Sequence, residues 1–515
     1  MDKILILDFG GQTTQLIARR IRETGIYTEI VPGDTDFQDG ISKEVKGIIL
    51  SGSPESVYDP EAPAPDKRIF QFNVPILGIC YGFHQTVLHF GGNVKSHQKR
   101  EYGRSPVRIA RRSALFSGVP DGFVSWMSHG DSVSALPDNF DAVAQSEDFI
   151  ASACSRDLPI YGTQFHPEVT HCDYGTKILE NFAVGICGAK TEWSMNTYLE
   201  QAKAEVRGTV GDKSVIVLIS GGVDSTVVAA LLLQCLESSQ VHLMYVDTGL
   251  MRKNETAEVG ASLKSLGAEN INIIDASEKF LNVLEGVENP EQKRKLIGDM
   301  FIYIQELENS DRLITEAYLA QGTLYTDMIE SGKGVGKKAH VIKSHHNVRS
   351  PLVEEKREAG LLIEPLSLLY KDEVRALGRI LGVSEHVLSR HPFPGPGLAV
   401  RILGEVTKEK CNILREADAI FIDELFARNL YHEIWQAFCV LLPIRSVGVT
   451  GDARNYGYVL SLRAIISRDG MTADVFPFEM RDLLEISAII TNKVPEVGRV
   501  VYDISSKPPA TIEWE

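Results

Sequence analysis

Short apolar runs alternate with amphipathic stretches over the first 185 residues of the chain. The runs KILILDF, KGIIL and VPILGI each lead into a Gly-rich or Ser-Gly turn, and the stretch TTQLIARRIRETG between the first two has helical periodicity. Strands that alternate with helices are typical of a parallel sheet covered by helices. The pattern therefore predicts an α/β domain, for which we expect the range 1–188.

A second alternating segment follows a linker and a helix near 186–212. The runs KSVIVLIS, VHLMYVD and INIIDA indicate strands, and VDSTVVAALLLQCLES indicates a helix after the first. HPFPGPGL is too rich in Pro and Gly for a regular element, and beyond it lie strands such as YGYVLSLRAI and the helix KCNILREADAIFIDELFAR. We predict two parallel-sheet α/β domains, 1–188 and 189–391, and a small C-terminal α+β domain, 392–515.

Composition limits the possible partners and the cellular setting. The 515 residues suit about three domains. With 53 basic and 69 acidic residues the net charge is −16, which disfavours nucleic acid and anionic membranes as partners. We expect no membrane span and no signal peptide. Seven cysteines without a CxxC pair argue against a zinc site or a disulfide framework, and predict a reducing, cytoplasmic setting.

The first candidate for chemistry is Cys80, which lies between the strand VPILGI and the helical pattern YGFHQTVLHF. A sharp strand-to-helix turn exposes a nucleophile beside the backbone N–H groups of the helix N-terminus, which favour a thiolate. Gly78 and Gly82 permit such a turn. Taken alone, a cysteine is more often a buried core residue, in roughly four cases of five.

His166 and Glu168 supply the partners that such a nucleophile needs. In an extended segment, residues i and i+2 point to the same side, so Glu168 can orient the imidazole that takes the thiol proton of Cys80. The alternative for this His-Pro-Glu sequence is an ordinary surface turn.

The G-x-C-x-G turn, the late H-x-E and the Ser-Gly-Ser-Pro turn after KGIIL together resemble the class I glutamine amidotransferases. The resemblance covers residues 1–185. It implies attack of the Cys80 thiolate on the glutamine amide, release of ammonia and hydrolysis of the thioester. The glutamine and oxyanion contacts that it implies are Gly52, Tyr81, Gln85 and His129.

A Gly-rich loop, the SGG loop (residues 220–226), follows the strand KSVIVLI and opens a helix. Its backbone N–H groups, hydroxyls and helix dipole can bind phosphate oxygens, although no P-loop Gly-Lys-Ser/Thr is present. The loop resembles that of N-type ATP pyrophosphatases, which implies Mg²⁺ with ATP and Asp224 as its ligand. Helix capping is the alternative role for Asp224. The predicted ATP contacts are Ser220, Gly221, Gly222, Val223, Asp224, Ser225, Val246 and Lys343.

Lys343 lies in the sequence IKSHHN, whose two histidines invite a zinc interpretation. Neighbouring residues diverge on a strand, and no further Cys or His ligands are evident nearby. We therefore prefer Lys343 as a charge partner of phosphate.

Longer stretches across the chain resemble the glutamine-hydrolysing GMP synthetases: GLMRKNE, QGTLYTDMIES, HPFPGPGLAVRILGEV and, most specifically, KPPATIEWE at the end. The resemblance implies a ligase of purine biosynthesis that forms a C–N bond. XMP, ATP and glutamine would give GMP, AMP, pyrophosphate and glutamate through an adenylyl-XMP intermediate. It also implies a homodimer formed through the last domain, and XMP contacts at Arg252, Asp452, Lys507 and Glu513.

Some features leave alternatives open. Lys507 and Glu513 could be solvated charges at the chain end. Arg349-Ser350-Pro351 stands where the family pattern has Gly-Gly-Leu, so we expect a differently shaped loop there. NAD, asparagine and argininosuccinate synthetases share SGG-type ATP loops but not the other motifs. A non-catalytic glutamine or nucleotide sensor would lack the nucleophile or the ATP loop, and both are present.

Overall fold

The computed structural model describes residues 1–147, 149–308, 316–330, 351–450, 453–467 and 472–515. Lys343, Asp452 and the Arg349-Ser350 pair lie outside the described residues. The described chain forms two units: Met1–Tyr198 with the helix Tyr325–Glu330, and Leu199–Leu324 with the residues from 351 onward. Among the described residues, no helix is both long and apolar enough to cross a membrane.

A nine-stranded sheet forms the core of the first unit. Its strands are Lys3–Asp8 (β1), Tyr27–Pro32 (β2), Val45–Leu50 (β3), Ile76–Ile79 (β4), Asn93–Ile109 (β5), Gly122–Ala135 (β6), Phe140–Gln145 (β7), Ile150–Ser155 (β8) and Ile160–Thr163 (β9). The helices are Thr14–Arg22 (α1), Tyr81–His89 (α2) and Gly175–Glu180 (α3), and α3 continues into a π-helix, Asn181–Ile186.

The strand order is β2-β1-β3-β4-β9-β8-β7-β5-β6. The first five strands are parallel, as the alternating pattern predicts, and β4 is apolar and buried along its whole length. The other four are joined by antiparallel pairing, which the sequence analysis did not predict. Much of β6 alternates buried with more exposed positions, as in a sheet with one wet face. Because β3, β4 and β9 are neighbouring parallel strands, the loops that follow them meet at one edge of the sheet.

A five-stranded parallel sheet of order β12-β11-β10-β13-β14 organises the second unit. Its strands are Val215–Ile219 (β10), Val241–Asp247 (β11), Asn270–Asp275 (β12), Tyr318–Ala320 (β13) and Leu362–Ile363 (β14). The helices that follow α3 in the chain are Met195–Val210 (α4), Val223–Cys235 (α5), Glu255–Ser265 (α6), Ser277–Val283 (α7), Pro290–Glu308 (α8), Tyr325–Glu330 (α9), Pro351–Glu358 (α10), Lys371–Ile380 (α11), Glu385–Leu388 (α12), Lys408–Ala427 (α13) and Met480–Lys493 (α14).

The order of this sheet reverses at β10, whose two neighbours come later in the chain. Ligands of open α/β sheets bind at such a switch point, beside the carboxyl ends of the strands. The SGG loop leaves β10 at that end, as the sequence predicts.

The last part of the second unit is a four-stranded sheet packed on α13 and α14. Its strands are Gln436–Thr450 (β15), Ala453–Ile466 (β16), Asp474–Val475 (β17) and Val497–Tyr502 (β18). The Pro-rich HPFPGPGL segment ahead of it has no regular element until a short 3₁₀ helix, Gly397–Arg401. The mixed α/β and α+β fold class that the sequence predicts is confirmed.

Buried cations hold the C-terminal tail, residues 503–515. Arg463 is 0% exposed, and its guanidinium lies 3.1 Å from the Asp503 carboxylate and 2.5 and 3.1 Å from the carbonyl oxygens of Ser505 and Thr511. Lys293 is equally buried and bonds the Glu515 carboxylate at 2.5 Å. These contacts fix the tail, because each buried charge is left unpaired if the tail moves away.

We predict that Arg463→Met destabilises the second unit by about 3–5 kcal/mol, since it removes the buried guanidinium that pairs with the Asp503 carboxylate and donates to the carbonyl groups of Ser505 and Thr511. The shift of the urea unfolding midpoint, with protease sensitivity of the tail, measures the effect. Arg481→Met is the control, because that side chain on α14 is 87% exposed. Its replacement should change the free energy of unfolding by less than about 0.5 kcal/mol. Equal effects of the two changes would contradict the anchoring role.

Candidate active site

Cys80 lies in the turn from β4 into α2, and its φ of 51° is in the left-handed region. A side chain at Gly78 would place its Cβ 2.6 Å from the backbone of Gly82. One at Gly82 would lie 2.3 Å from the carbonyl oxygen of Leu50 in β3. Both glycines are therefore required by close backbone packing, and the predicted sharp turn is confirmed.

His166 and Glu168 lie together beside this turn. His166 Nδ1 is 2.7 Å from Glu168 Oε1, and the carboxylate is completely buried. They lie in a turn after β9 and not in the extended segment that the sequence analysis assumed. Burial alone would lower the pKa of His166. The charge of Glu168 and the hydrogen bonds to Cys80 and Glu168 outweigh that and raise the pKa well above its ordinary value.

Gly52, the predicted oxyanion donor, lies against the same imidazole. A Cβ on Gly52 would be 3.2 Å from His166 Cε1, and the carbonyl oxygen of Ser51 accepts the N–H of Gly82 at 3.0 Å. Three segments that are distant in sequence, the turns after β3, β4 and β9, thus meet around Cys80.

Tyr81, Gln85 and His129 also lie in this unit. Gln85 Nε2 donates to the Tyr81 hydroxyl at 2.8 Å and to the carbonyl oxygen of Pro63 at 3.3 Å. His129 is buried, with Nε2 3.4 Å from a carboxylate oxygen of Glu101. The carbonyl oxygen of the preceding residue in β6, Ser128, lies 3.8 Å from Cys80 Sγ. His129 thus follows, in β6, a residue whose carbonyl oxygen lies near the nucleophile, and Glu101 is a neighbour of His129 that the sequence analysis missed.

The SGG loop is shaped by its own hydroxyls. Ser225 Oγ accepts the Ser220 N–H at 3.2 Å, and Ser220 Oγ accepts the Gly222 N–H at 3.3 Å. Thr226 Oγ1 donates to the Gly222 carbonyl at 2.9 Å. Gly221 has a φ of +77°, which other residues rarely adopt. Val223 begins α5, and Val246 is buried near the end of β11.

Asp224 carries a partner that the sequence analysis missed. Lys371 Nζ, at the start of α11, lies 2.6 and 2.7 Å from the two carboxylate oxygens. A Cβ on Gly322, just after β13, would be 3.1 Å from Asp224 Cβ, so the loop after β13 packs closely on the same residue. The separation of 147 residues leaves no local pattern that could have linked Lys371 to the SGG loop.

Arg252 and Glu513, two predicted XMP contacts, meet around Phe393. The guanidinium of Arg252 lies 4.5 Å from the Phe393 ring centre, and that of Arg401 lies 5.0 Å from it. Arg401, which is fully buried, bonds both carboxylate oxygens of Glu513 at 2.9 and 3.1 Å. Burial, followed by repulsion from Arg401 and Arg390, lowers the pKa of Arg252 to about 10. The sequence analysis missed Arg401.

Each of these arginines has one donor nitrogen that is not used within the described part of the chain. Arg252 Nε and Arg401 Nη1 are buried without a hydrogen-bond partner among the described residues. Lys507 is held through its backbone, which pairs with that of Ala473.

Three family models match the chain. The model for class-I glutamine amidotransferases matches residues 5–186, the one for NAD synthase matches 195–296, and the one for the GMP synthase C terminal domain matches 423–514.

Whole relatives match as well. The chain is 50% identical to a glutamine-hydrolysing GMP synthase of Chlorobaculum tepidum, over 100% of this chain and 99% of that one. It is 50% identical to the enzyme of the same name from Aquifex aeolicus, over 99% of each chain. The value for Caldicellulosiruptor saccharolyticus is 48%, again over 99% of each. The chain therefore belongs to the family of glutamine-hydrolysing GMP synthases.

Proposed function

We propose that this chain makes GMP from XMP, ATP and glutamine, with ammonia released at Cys80 and ATP consumed at the SGG loop. The observation that carries the proposal is the combination of both sites in one chain that is 50% identical, over its whole length, to GMP synthases. The assignments of individual residues, and three functional parts at 1–188, 189–391 and 392–515, are part of the proposal.

At the first site the Cys80 thiolate attacks the amide carbon of glutamine. The amide oxygen becomes an oxyanion, for which the N–H groups of Gly52 and Tyr81 are the proposed donors. Collapse of the tetrahedral intermediate expels ammonia, whose proton comes from the His166 imidazolium. His166 then accepts a proton from the water that hydrolyses the thioester to glutamate. The buried Glu168 carboxylate stabilises the imidazolium at each stage.

At the second site an oxygen of XMP attacks the α-phosphorus of ATP, pyrophosphate leaves, and ammonia then displaces AMP from the adenylylated carbon. The SGG loop would hold the phosphates, since it leads into the N-terminus of α5, where backbone N–H groups and the helix dipole favour anions. Lys371 is a further proposed phosphate partner, because its ammonium already sits at the loop on Asp224. Lys343 and Val246 remain proposed ATP contacts from resemblance.

Mg²⁺ is the metal that we propose to accompany ATP. Among the described residues, no group of three or more His, Cys, Asp or Glu side chains gathers as a metal site. Asp224 alone at the loop fits a metal that keeps most of its ligands from phosphates and water. When bound, Mg²⁺ supplies charge neutralisation to the phosphates.

XMP is proposed to bind beside Phe393. Two arginines that each have one buried nitrogen without a hydrogen-bond partner among the described residues favour an anionic group there, and the monophosphate of XMP is one. Glu513 would act mainly by holding Arg401, to which it is bonded. Lys507 and Asp452 remain proposed contacts from resemblance.

A homodimer in the cytoplasm completes the proposal. Ile444, Val447 and Tyr456 are 55%, 50% and 56% exposed, and Val447 lies directly opposite Tyr456 in the β15–β16 pair. Exposed apolar side chains on the edge strand β15 and on its neighbour β16 suit the self-complementary contact of a two-fold dimer. All seven cysteines are free thiols, which supports a reducing compartment.

Product analysis with XMP, ATP-Mg and glutamine should give GMP, AMP and pyrophosphate. Cys80→Ala should lower the glutamine-dependent rate at least about 10³-fold and leave the rate with ammonium salts within about twofold, because only the first site uses the thiolate. Cys154→Ala, a half-buried cysteine elsewhere in the unit, should match the wild type with both nitrogen sources. Formation of ADP in place of AMP, or loss of both activities in Cys80→Ala, would overturn the assignment.

Asp224→Asn and Lys371→Met should each lower GMP formation by about 10²–10³-fold with either nitrogen source, because both side chains are proposed to act on ATP. Steady-state rates with glutamine and with ammonium salts measure this. Asp212→Asn, an exposed carboxylate shortly before β10, is the control and should be silent. Full activity of either variant would remove that residue from the site.

Sedimentation equilibrium tests the dimer. Val447→Asp should raise the dimer Kd at least about tenfold, because a carboxylate in an apolar contact loses its hydration without gaining a partner. Ile380→Asp, on α11 and 42% exposed, should dimerise like the wild type. A monomeric wild-type chain, or an unaffected Val447→Asp variant, would contradict the proposed contact.

A further inference from the structure

Gln164 is a buried polar side chain beside the nucleophile that the triad does not use. It is 0% exposed and follows β9 directly, two residues before His166. Its Nε2 lies 3.8 Å from Cys80 Sγ, within hydrogen-bonding distance for sulfur. Its Oε1 lies 2.8 Å from Nε2 of His84, which projects from the first turn of α2.

In this arrangement the carbonyl oxygen of the Gln164 amide faces His84, and its NH₂ group faces the sulfur. Burial lowers the pKa of His84 to about 4, and the hydrogen bond to Gln164 offsets only part of this effect. The imidazole is therefore neutral at neutral pH and carries a single ring proton. Because the carbonyl oxygen of Gln164 can only accept, that proton must be on Nε2 of His84. The NH₂ group of Gln164 is then directed at Cys80.

A donor aimed at sulfur favours the thiolate over the thiol. The Ser128 carbonyl oxygen, 3.8 Å from the sulfur, can only accept a hydrogen bond, and so favours the protonated thiol. The imidazolium of His166 acts on Cys80 as well, with Glu168 behind it. Two titratable groups also act on His84: His129 lowers its pKa and Asp131 raises it.

We propose that Gln164 donates a hydrogen bond to the Cys80 nucleophile, and that His84 is the positioning residue that holds the Gln164 amide in the donating orientation. The arrangement holds the sulfur between two donors, Gln164 and His166, before glutamine binds. This inference rests on the proposed function, because it takes Cys80 as the nucleophile.

The test is the pH dependence of Cys80 alkylation by iodoacetamide in the full-length protein, read by peptide mass spectrometry. Gln164→Met, close in shape and without a donor, should move the alkylation midpoint up by about one pH unit. Gln164→Glu should move it further, because a carboxylate repels the thiolate. His84→Met should give a smaller shift in the same direction, and His84→Gln, which keeps a donor, should recover part of it. The glutaminase kcat/KM should fall about 10- to 100-fold in Gln164→Met.

GMP formation from ammonium salts shows in each variant that the rest of the chain is folded. A downward midpoint shift in Gln164→Met would mean that Oε1 faces the sulfur, and an unchanged midpoint would mean that no hydrogen bond forms; either overturns the inference. A purely structural role would lower activity without moving the midpoint. If the proposed function itself is wrong, glutamine will not protect Cys80 of the wild-type protein from alkylation, and this result distinguishes the two failures.

Discussion

The turn from β4 into α2 exists only because no side chain stands between Gly78, Gly82 and the backbone of Leu50. A Cβ at Gly82 would come within 2.3 Å of a carbonyl oxygen, a distance that real Cβ atoms do not adopt. This close contact lets the helix begin directly on the end of a buried strand, and it holds Cys80 in the left-handed region with its thiol outside the sheet. His166, Gly52 and Gln164 can contribute to a site only because the turn places the Cys80 thiol next to them.

The SGG loop also lets a helix begin directly at the end of a buried strand. Gly221 takes a positive φ, and the hydroxyls of Ser220 and Ser225 bond the loop backbone, so that α5 begins at the end of β10. Gly322 is close enough to Asp224 that a Cβ would lie 3.1 Å from its side chain, so the loop after β13 packs against the start of α5. In both sites a parallel sheet brings distant loops to one edge, and missing side chains let them approach.

Features encoded by neighbours in sequence were predictable, and features encoded by long-range pairs were not. The strands at Lys3–Asp8 and Val241–Asp247, the Cys80 turn and the SGG loop each follow from local periodicity and glycine placement. Lys371 with Asp224, Arg401 with Glu513, and Gln164 with Cys80 are separated by 147, 112 and 84 residues. No periodicity links such partners, since their meeting depends on the order of strands in a sheet. The antiparallel half of the first sheet escaped prediction for the same reason.

Ion pairs that form before any substrate binds lie at each of the proposed sites. Glu168 holds His166, Lys371 holds Asp224, and Glu513 holds Arg401, each within 3.1 Å. A charge that is already oriented and partly desolvated does not have to reorganise when charge develops on a substrate, and this is where electrostatic catalysis gains most. The pairs differ in exposure in a way that fits their proposed tasks. Glu168 and His166 are buried, which suits a pair that keeps one geometry, whereas Lys371 and Asp224 are 45% and 30% exposed, as the proposed exchange of each other for phosphate oxygens requires.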